Sequence, residues 1–402
     1  MRYSAPDTPD GGLDAKEPGP MAFPRIADVK LFPVATERLY GEASQHVLLR
    51  LEAEDGTVGW GEMSDVSHLP ALMPDISDLT ACLENLLVRR DATNLNELDD
   101  LMLANFPGTR FHGKACLVRA AVSIASYDLK ARMLGIPVHE LLGGKRRDRI
   151  PVCYPIFRMK SRADVPGRRE LVRAQFENGF RAFRFYFGHD TAADEELLEA
   201  ICGELGDRIR LTSMDGSGLF RLPAFLRAYR GLSRFPFETV ESPVDRDDVE
   251  AIAEARRAID HPVSEHVRSR EYAIRLIRAR AVDIFNVSIT VAGGIRGMLD
   301  LFAIGDAAGL ECIIGTTQEL SVTTAAQAHV GAVAPHLDYA SDPVGPVLYT
   351  SDVAERSVRF ENGDLLVPDG IGLGVEVDMR RVAAISAPLS SLKDVLSSFS
   401  RG

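Results

Sequence analysis

Three acidic residues are spaced for shared chemistry. Asp215, Glu241 and Glu265 each close a short apolar run (Ile209–Met214, Phe237–Glu241 and Pro262–Glu265), and successive members lie about one β/α unit apart. If these runs are strands of a closed parallel barrel, their C-terminal ends converge on one mouth. Carboxylates gathered there repel one another unless a cation joins them. An all-oxygen donor set suits Mg²⁺, with water or substrate filling the remaining positions. His266, next in the chain, is the rival to Glu265, although a carboxylate suits Mg²⁺ better than an imidazole. The competing reading is that acids after strands merely cap the helices that follow.

The chain around these acids supplies the elements to position them. Ala27–Thr36, His46–Ala53 and Val58–Glu62 read as strands, the last two joined by the turn Glu54-Asp55-Gly56. Ala115–Leu134 has helical spacing and stops before Gly135-Ile136-Pro137. From Ile150 onward short apolar strands alternate with charged amphipathic helices. The strands are Ile150–Ile156, Ala182–Phe187, Ile209–Met214, Phe237–Glu241, Pro262–Glu265, Val282–Val287, Cys312–Ile314 and His336–Tyr339; the helices include Arg168–Asn178, Glu195–Leu205 and Asp248–Ala258. Eight such units without a GxGxxG favour a barrel over an open doubly wound sheet. The expectation is an α/β protein: a modified (β/α)₈ TIM barrel over 145–357 and an N-terminal α+β capping domain over 21–144. The segment 358–402 returns to that domain and completes it. Residues 1–20, rich in Gly, Pro and Asp, read as a disordered tail, or as an upstream start ahead of Met21.

Composition narrows the partners. A net charge of −12 supplies no basic footprint for nucleic acid, so an anionic substrate needs locally placed cations or a metal. No apolar run reaches the roughly 18 residues of a membrane span. Five scattered cysteines without a CxxC point to reduced thiols and a cytoplasmic setting.

Several ordered motifs carry a resemblance. They are Gly59-Trp60-Gly61-Glu62, Ala125-Ser126-Tyr127-Asp128-Leu129-Lys130, Gly135-Ile136-Pro137-Val138, Leu141-Leu142-Gly143-Gly144 and Gly179-Phe180. Further on come Gly293-Gly294, Gly315-Thr316-Thr317-Gln318-Glu319-Leu320 and Asp369-Gly370-Ile371-Gly372-Leu373-Gly374-Val375. From about Met21 to Asp378 the chain resembles the enolase superfamily, in its mandelate racemase and muconate-lactonizing branch. The resemblance implies Mg²⁺ held by Asp215, Glu241 and Glu265 (or His266), a small carboxylate substrate, and a homo-oligomer. It also implies substrate contacts from Glu319 and Asp338, at the ends of the seventh and eighth strands, and from His266.

Against this family, Arg184 and Tyr186 stand where most relatives carry Lys-x-Lys, and Ser288 stands where a Lys or Asp is common. Racemisation between two opposed bases is therefore disfavoured. Arg184 and Tyr186 lie two apart in a strand and face one side. A free tyrosine has a pKa of about 10, which a guanidinium and a metal lower, so Tyr186 is the expected base. An Arg-x-Tyr pair is similar to that of galactarate-type acid-sugar dehydratases, which implies elimination of a β-hydroxyl to a 2-keto-3-deoxy acid. His46, after the loop 37–45, is the expected acid for the departing hydroxyl, with His266 second. The alternatives are an epimerase or cycloisomerase acting on another carboxylate, and a catalytically silent Mg²⁺-binding scaffold with Tyr186 as a packed aromatic. His68, His112 and His189 read as loop residues, although the stretch Gly108–Lys114 can reach the mouth.

Overall fold

The computed structural model describes residues 23–39, 43–66, 75–111 and 113–389. The expected tail, Met21, His68, His112 and part of the loop 37–45 lie outside the described residues.

The N-terminal strands β1 (Ile26–Glu37), β2 (Ala43–Ala53) and β3 (Val58–Met63) form an antiparallel sheet in the order β1-β2-β3. Helices α1 (Ile76–Leu87) and α3 (Lys114–Leu134) pack against it, and α2 (Leu95–Asn105) packs on α3. The two glycines of Gly59-Trp60-Gly61-Glu62 have a steric cause. A Cβ on Gly59 would lie 2.2 Å from the Ala125 carbonyl oxygen, and one on Gly61 would lie 1.9 Å from that of Ala121. Only glycine lets α3 lie this close to β3. The helix ends where Gly135 turns left-handed at φ 68°.

A short strand β4 (Arg149–Pro151) leads into the barrel, which begins with β5 (Cys153–Ile156). It continues through β6 (Ala182–Tyr186), β7 (Arg210–Asp215), β8 (Phe237–Glu241), β9 (Val263–His266), β10 (Ile284–Val287) and β11 (Glu311–Ile314). Strands β5 to β11 form one seven-stranded parallel sheet in sequence order. The eighth strand expected at His336–Tyr339 is not formed. Closure falls instead to the residues just beyond it. Ser341 forms a parallel bridge with Val152, its N–H donates to the Pro151 carbonyl at 2.8 Å, and the Asp342 N–H donates to the Ile314 carbonyl at 2.8 Å. The ring thus closes between β5 and β11 through a few backbone bonds.

The C-terminal stretch runs back over both parts. Strands β12 (Ala354–Arg356) and β15 (Glu376–Val377) pair with each other, while β13 (Phe360–Glu361) and β14 (Asp364–Leu366) extend β4. Buried Asp128 on α3 accepts from the Leu373 N–H at 2.8 Å and the Trp60 N–H at 2.9 Å, and Ala35 donates to the Ile385 carbonyl at 2.9 Å. These bonds fasten the end of the chain to the capping sheet. A large apolar cluster fills the barrel and its helix layer, and a second lies between the capping sheet and α1–α3.

Candidate active site at the barrel mouth

Register sets the first row of the site. Tyr186 pairs with Asp215, Asp215 with Glu241, and Glu241 with Ser264, at the C-terminal ends of β6 to β9. One turn of the backbone below Tyr186, Arg184 points the same way. Its guanidinium holds three buried carboxylates: Nε donates to Asp215 Oδ2 at 3.0 Å, Nη2 to Asp215 and Glu241, and Nη1 to Asp342. Asn286 on β10 donates to Glu241 Oε2 at 3.0 Å and to Asp342 Oδ2 at 3.3 Å. Burial disfavours charge on Arg184, but the surrounding acids outweigh it and hold the guanidinium firmly charged. Burial likewise works against an ionised Glu241, yet Arg184 and His266 hold its pKa down to about 2. Asp342 goes the other way: burial raises it despite Arg184.

Tyr186 behaves differently from the sequence expectation. Its ring lies 4.9 Å from the Arg184 guanidinium carbon and stacks on Phe157 at 5.5 Å. Burial pushes its phenol upward, and the three nearby acids add to that push against the opposing effect of Arg184. Without a metal this direction opposes the expected phenolate, and the positive charge of a bound Mg²⁺ would act the other way. Arg158, 6.0 Å from the same ring, donates to the Phe187 carbonyl at 2.6 Å and to Ser217 Oγ at 3.0 Å.

The fifth barrel strand corrects the third acid. Side chains alternate along β9, so Ser264 and His266 face inward and Glu265 faces out. His266 Nε2 lies 3.1 Å from Glu241 Oε1, and Ser264 Oγ lies 3.4 Å from Glu241 Oε2. Glu265 instead accepts from Ser242 Oγ at 2.9 Å and from Arg246 Nε at 3.2 Å. Arg246 in turn covers Phe111 at 4.2 Å, and Phe111 packs on His266 at 4.9 Å. Glu265 thus positions the segment before α3, which does reach the mouth, and does not join Asp215 and Glu241.

The other side of the mouth carries hydroxyls. Ser288 Oγ, Thr290 Oγ1, Thr317 Oγ1 and Ser64 Oγ form a buried chain with steps of 2.8, 3.0 and 2.7 Å. Glu319 terminates it, accepting from Thr317 Oγ1 at 3.0 Å and from the Thr317 N–H at 2.7 Å. Burial raises the Glu319 carboxyl, as does neighbouring Glu62, against the hydrogen bonds of Thr316 and Thr317. His46, fully buried, lies at the edge of this region. Its Nδ1 hydrogen-bonds Glu62 Oε1 at 2.9 Å, and its ring meets Tyr349 edge-on at 5.3 Å. Glu62 also accepts from the Leu320 and Thr323 N–H groups at the start of the helix Ser321–Val333. His46 is therefore built into the seam between the capping sheet and the loop after β11, with partners other than Arg184 and Tyr186.

Asp338 is at the wrong end. It accepts from the Cys312 N–H at 3.0 Å, at the N-terminal end of β11, and pairs with His336 at 2.6 Å. The acid that the eighth position supplies to the mouth is Asp342. Both Asp342 and Asn286 escaped the sequence reading. Asn286 had a signal, a lone amide within the apolar run Ile284–Val287. Asp342 was hidden because the final strand was placed too early.

A cavity of about 10 Å³ lies among Cys153, Pro155, Phe157, Arg184, Tyr186, Thr316, Gln318 and Asp342. The loop 315–320 is held taut: Gln318 is left-handed at φ 65°, and Tyr349 Oη donates to its carbonyl at 2.6 Å.

Comparison with known proteins places this geometry. Residues 25–143 match the family model "Mandelate racemase / muconate lactonizing enzyme, N-terminal domain", and residues 167–381 match "Enolase C-terminal domain-like". The chain belongs to the mandelate racemase and muconate-lactonizing branch of the enolase superfamily. A chloromuconate cycloisomerase of Cupriavidus necator is 29% identical over 84% of this chain and 90% of its own length. An N-succinyl-L-Arg/Lys racemase of Bacillus cereus is 25% identical over the same shares, 84% and 90%. The muconate cycloisomerase structure from Pseudomonas fluorescens superimposes with a TM-score of 0.79 at 25% identity, covering 90% of this chain and 99% of that one. Among the described residues, no helix is long and apolar enough to cross a membrane.

Enzymes of this branch use Mg²⁺. Here Asp215, Glu241 and Asp342 converge on one cation, and all are hard oxygen donors of the kind Mg²⁺ takes. Three carboxylates around one guanidinium leave the cluster short of positive charge. The donor chemistry therefore fits the ion. With Arg184 between the acids, no group of three or more His, Cys, Asp or Glu is arranged to hold a metal among the described residues.

Proposed function

We propose that the chain is an isomerase of the cycloisomerase kind, acting on a small carboxylate. The observation that carries it is the one-sidedness of the mouth. Tyr186 and the Arg184 cluster form one side, and neutral hydroxyls with a buried acid form the other. Racemisation needs a proton acceptor and a donor on opposed faces; closing or opening a lactone needs one proton moved on one face. The cycloisomerase relatives support the same reading.

In this scheme Arg158 and Arg184 orient the substrate carboxylates. A carboxylate oxygen of the substrate adds to its own double bond, forming a C–O bond. The Tyr186 O–H then breaks and its proton goes to the carbon next to the other carboxylate. In the reverse direction the phenolate takes that proton back. Asp215 and Glu241, with Asp342, would hold Mg²⁺, which supplies positive charge against a substrate carboxylate. The buried hydroxyl chain and the loop 315–320 exclude water from the opposite face.

A second reading, an acid-sugar dehydratase yielding a 2-keto-3-deoxy acid, draws on the Arg184-x-Tyr186 pair and on the unpartnered Nε2 of His46. It requires His46 or His266 to protonate a leaving hydroxyl.

One assay separates them. The protein with Mg²⁺ is incubated with muconate, chloromuconates, N-succinyl amino acids and a set of acid sugars. The cycloisomerase reading expects loss of diene absorbance, abolished in Tyr186→Phe. Formation of a trapped 2-keto acid would replace it by the dehydratase reading. Silence across all of them would contradict both and favour a scaffold role.

A further inference from the structure

The carboxylate oxygens gathered at this mouth already have a partner. Asp215 Oδ2, Glu241 Oε1 and Asp342 Oδ2 all accept from the Arg184 guanidinium. The residue is 3% exposed and makes no use of its charge elsewhere at the mouth beyond stacking on Tyr186. The two further groups lining the cluster have orphan atoms: Asn286 Oδ1 and His266 Nδ1 are buried without hydrogen-bond partners. Buried polar atoms are rarely left so, and an orphan oxygen and nitrogen beside a carboxylate cradle mark a site able to take a second arrangement.

A guanidinium and a divalent cation cannot use the same lone pairs at once, and their charges repel. We propose that Arg184 is an internal rival of Mg²⁺: guanidinium and metal occupy the three-carboxylate cradle in turn, and metal entry releases Arg184 from Asp215 and Glu241. This rests on the use of Mg²⁺ by the family and not on the identity of the substrate. Two consequences follow. The cradle keeps a cation and stays folded without metal, and metal affinity is set by how tightly Arg184 is held. The released guanidinium stands beside Tyr186, where a substrate carboxylate can meet it, so metal loading and substrate capture become coupled.

The test is metal binding read directly. Free Mn²⁺ is titrated against the full chain and followed by its electron paramagnetic resonance signal, with no substrate present. Arg184→Gln, which removes the rival charge, should bind Mn²⁺ at least about tenfold more tightly than the wild type, a difference of about 1.4 kcal/mol. In thermal unfolding the variant should gain more from added Mg²⁺ than the wild type gains. Arg184→Lys covers the case in which the neutral variant does not fold. Its single ammonium cannot bridge three carboxylates as a planar guanidinium does, so Mn²⁺ should again bind more tightly than to the wild type. Equal or weaker Mn²⁺ binding in the folded variants would overturn the proposal. Failure of every candidate substrate would leave this result standing, so the two readings fail separately.

Discussion

The two halves of the barrel mouth are built on opposite principles. On one side, β7, β8 and the closing segment at Asp342 place three carboxylates in direct contact around Arg184 of β6. On the other, β9, β10 and the loop after β11 offer Ser264, Ser288, Thr290 and Thr317, with Glu265 and Glu319 tied into local hydrogen bonds. The first half concentrates charge where a carboxylate or cation can meet it. The second ties its hydroxyls into a chain of neutral hydrogen bonds. The contrast teaches that acids at neighbouring strand ends are not equivalent: Glu241 and Glu265 are both fully buried, yet only Glu241 faces the reaction space.

The strongest challenge to this contrast is to remove its centre. Arg184→Met leaves three buried carboxylates without their cation and should cost about 3–5 kcal/mol of stability, as loss of one partner from a buried ion cluster does. Urea unfolding at neutral pH in the absence of metal measures it. A loss below about 1 kcal/mol would show that the cluster is not the electrostatic keystone described here.

The paired acids sharpen it next. Glu241→Gln should reduce turnover by roughly a hundredfold or more, the scale for losing a group that stabilises developing charge. Glu265→Gln should act mainly through Arg246 and Phe111, costing about 1–3 kcal/mol of stability with a smaller loss of turnover. Kinetics and unfolding of the two variants side by side check this, and equal losses of turnover would erase the distinction between the inward and outward acids.

A pH series tests the same half. Glu241 has a folded pKa of about 2, below its ordinary value of 4.5, so its contribution is fully present above 4.5. It is lost as pH falls from there through the folded value. Glu241→Gln should therefore flatten the decline of stability with acid between pH 4.5 and 2, measured by thermal unfolding across that window. The smallest effect belongs to Asp338→Asn, at the far end of the barrel. It should change stability by no more than about 0.5–1 kcal/mol and leave turnover intact.

Much of this was readable in the residues. The capping hairpin, the long helix Lys114–Leu134 and seven of the barrel strands follow from period and punctuation, and Asp215, Glu241, Arg184 and Tyr186 fall together as their strand ends imply. What escaped was phase and closure. One residue of offset in β9 turns Glu265 outward and His266 inward, and a four-residue strand carries too little alternation to fix that. The eighth strand is reduced to a bridge at Ser341, so no periodic pattern announced Asp342. The ionisation of Tyr186 could not be read from its neighbours' types. Without a metal, burial and the three acids push its phenol up against the one guanidinium, a balance that only the packed geometry contains.

The most direct test of the account is solvent deuterium incorporation next to the carboxylate, followed by proton NMR for the wild type, Tyr186→Phe and Ser288→Ala with Mg²⁺ and the converting acid. The account predicts deuterium delivered to one face by the wild type and by Ser288→Ala, and none by Tyr186→Phe. Full incorporation by Tyr186→Phe, or its loss in Ser288→Ala alone, would place the chemistry on the hydroxyl side and contradict the assignment of the charged half as the reacting one.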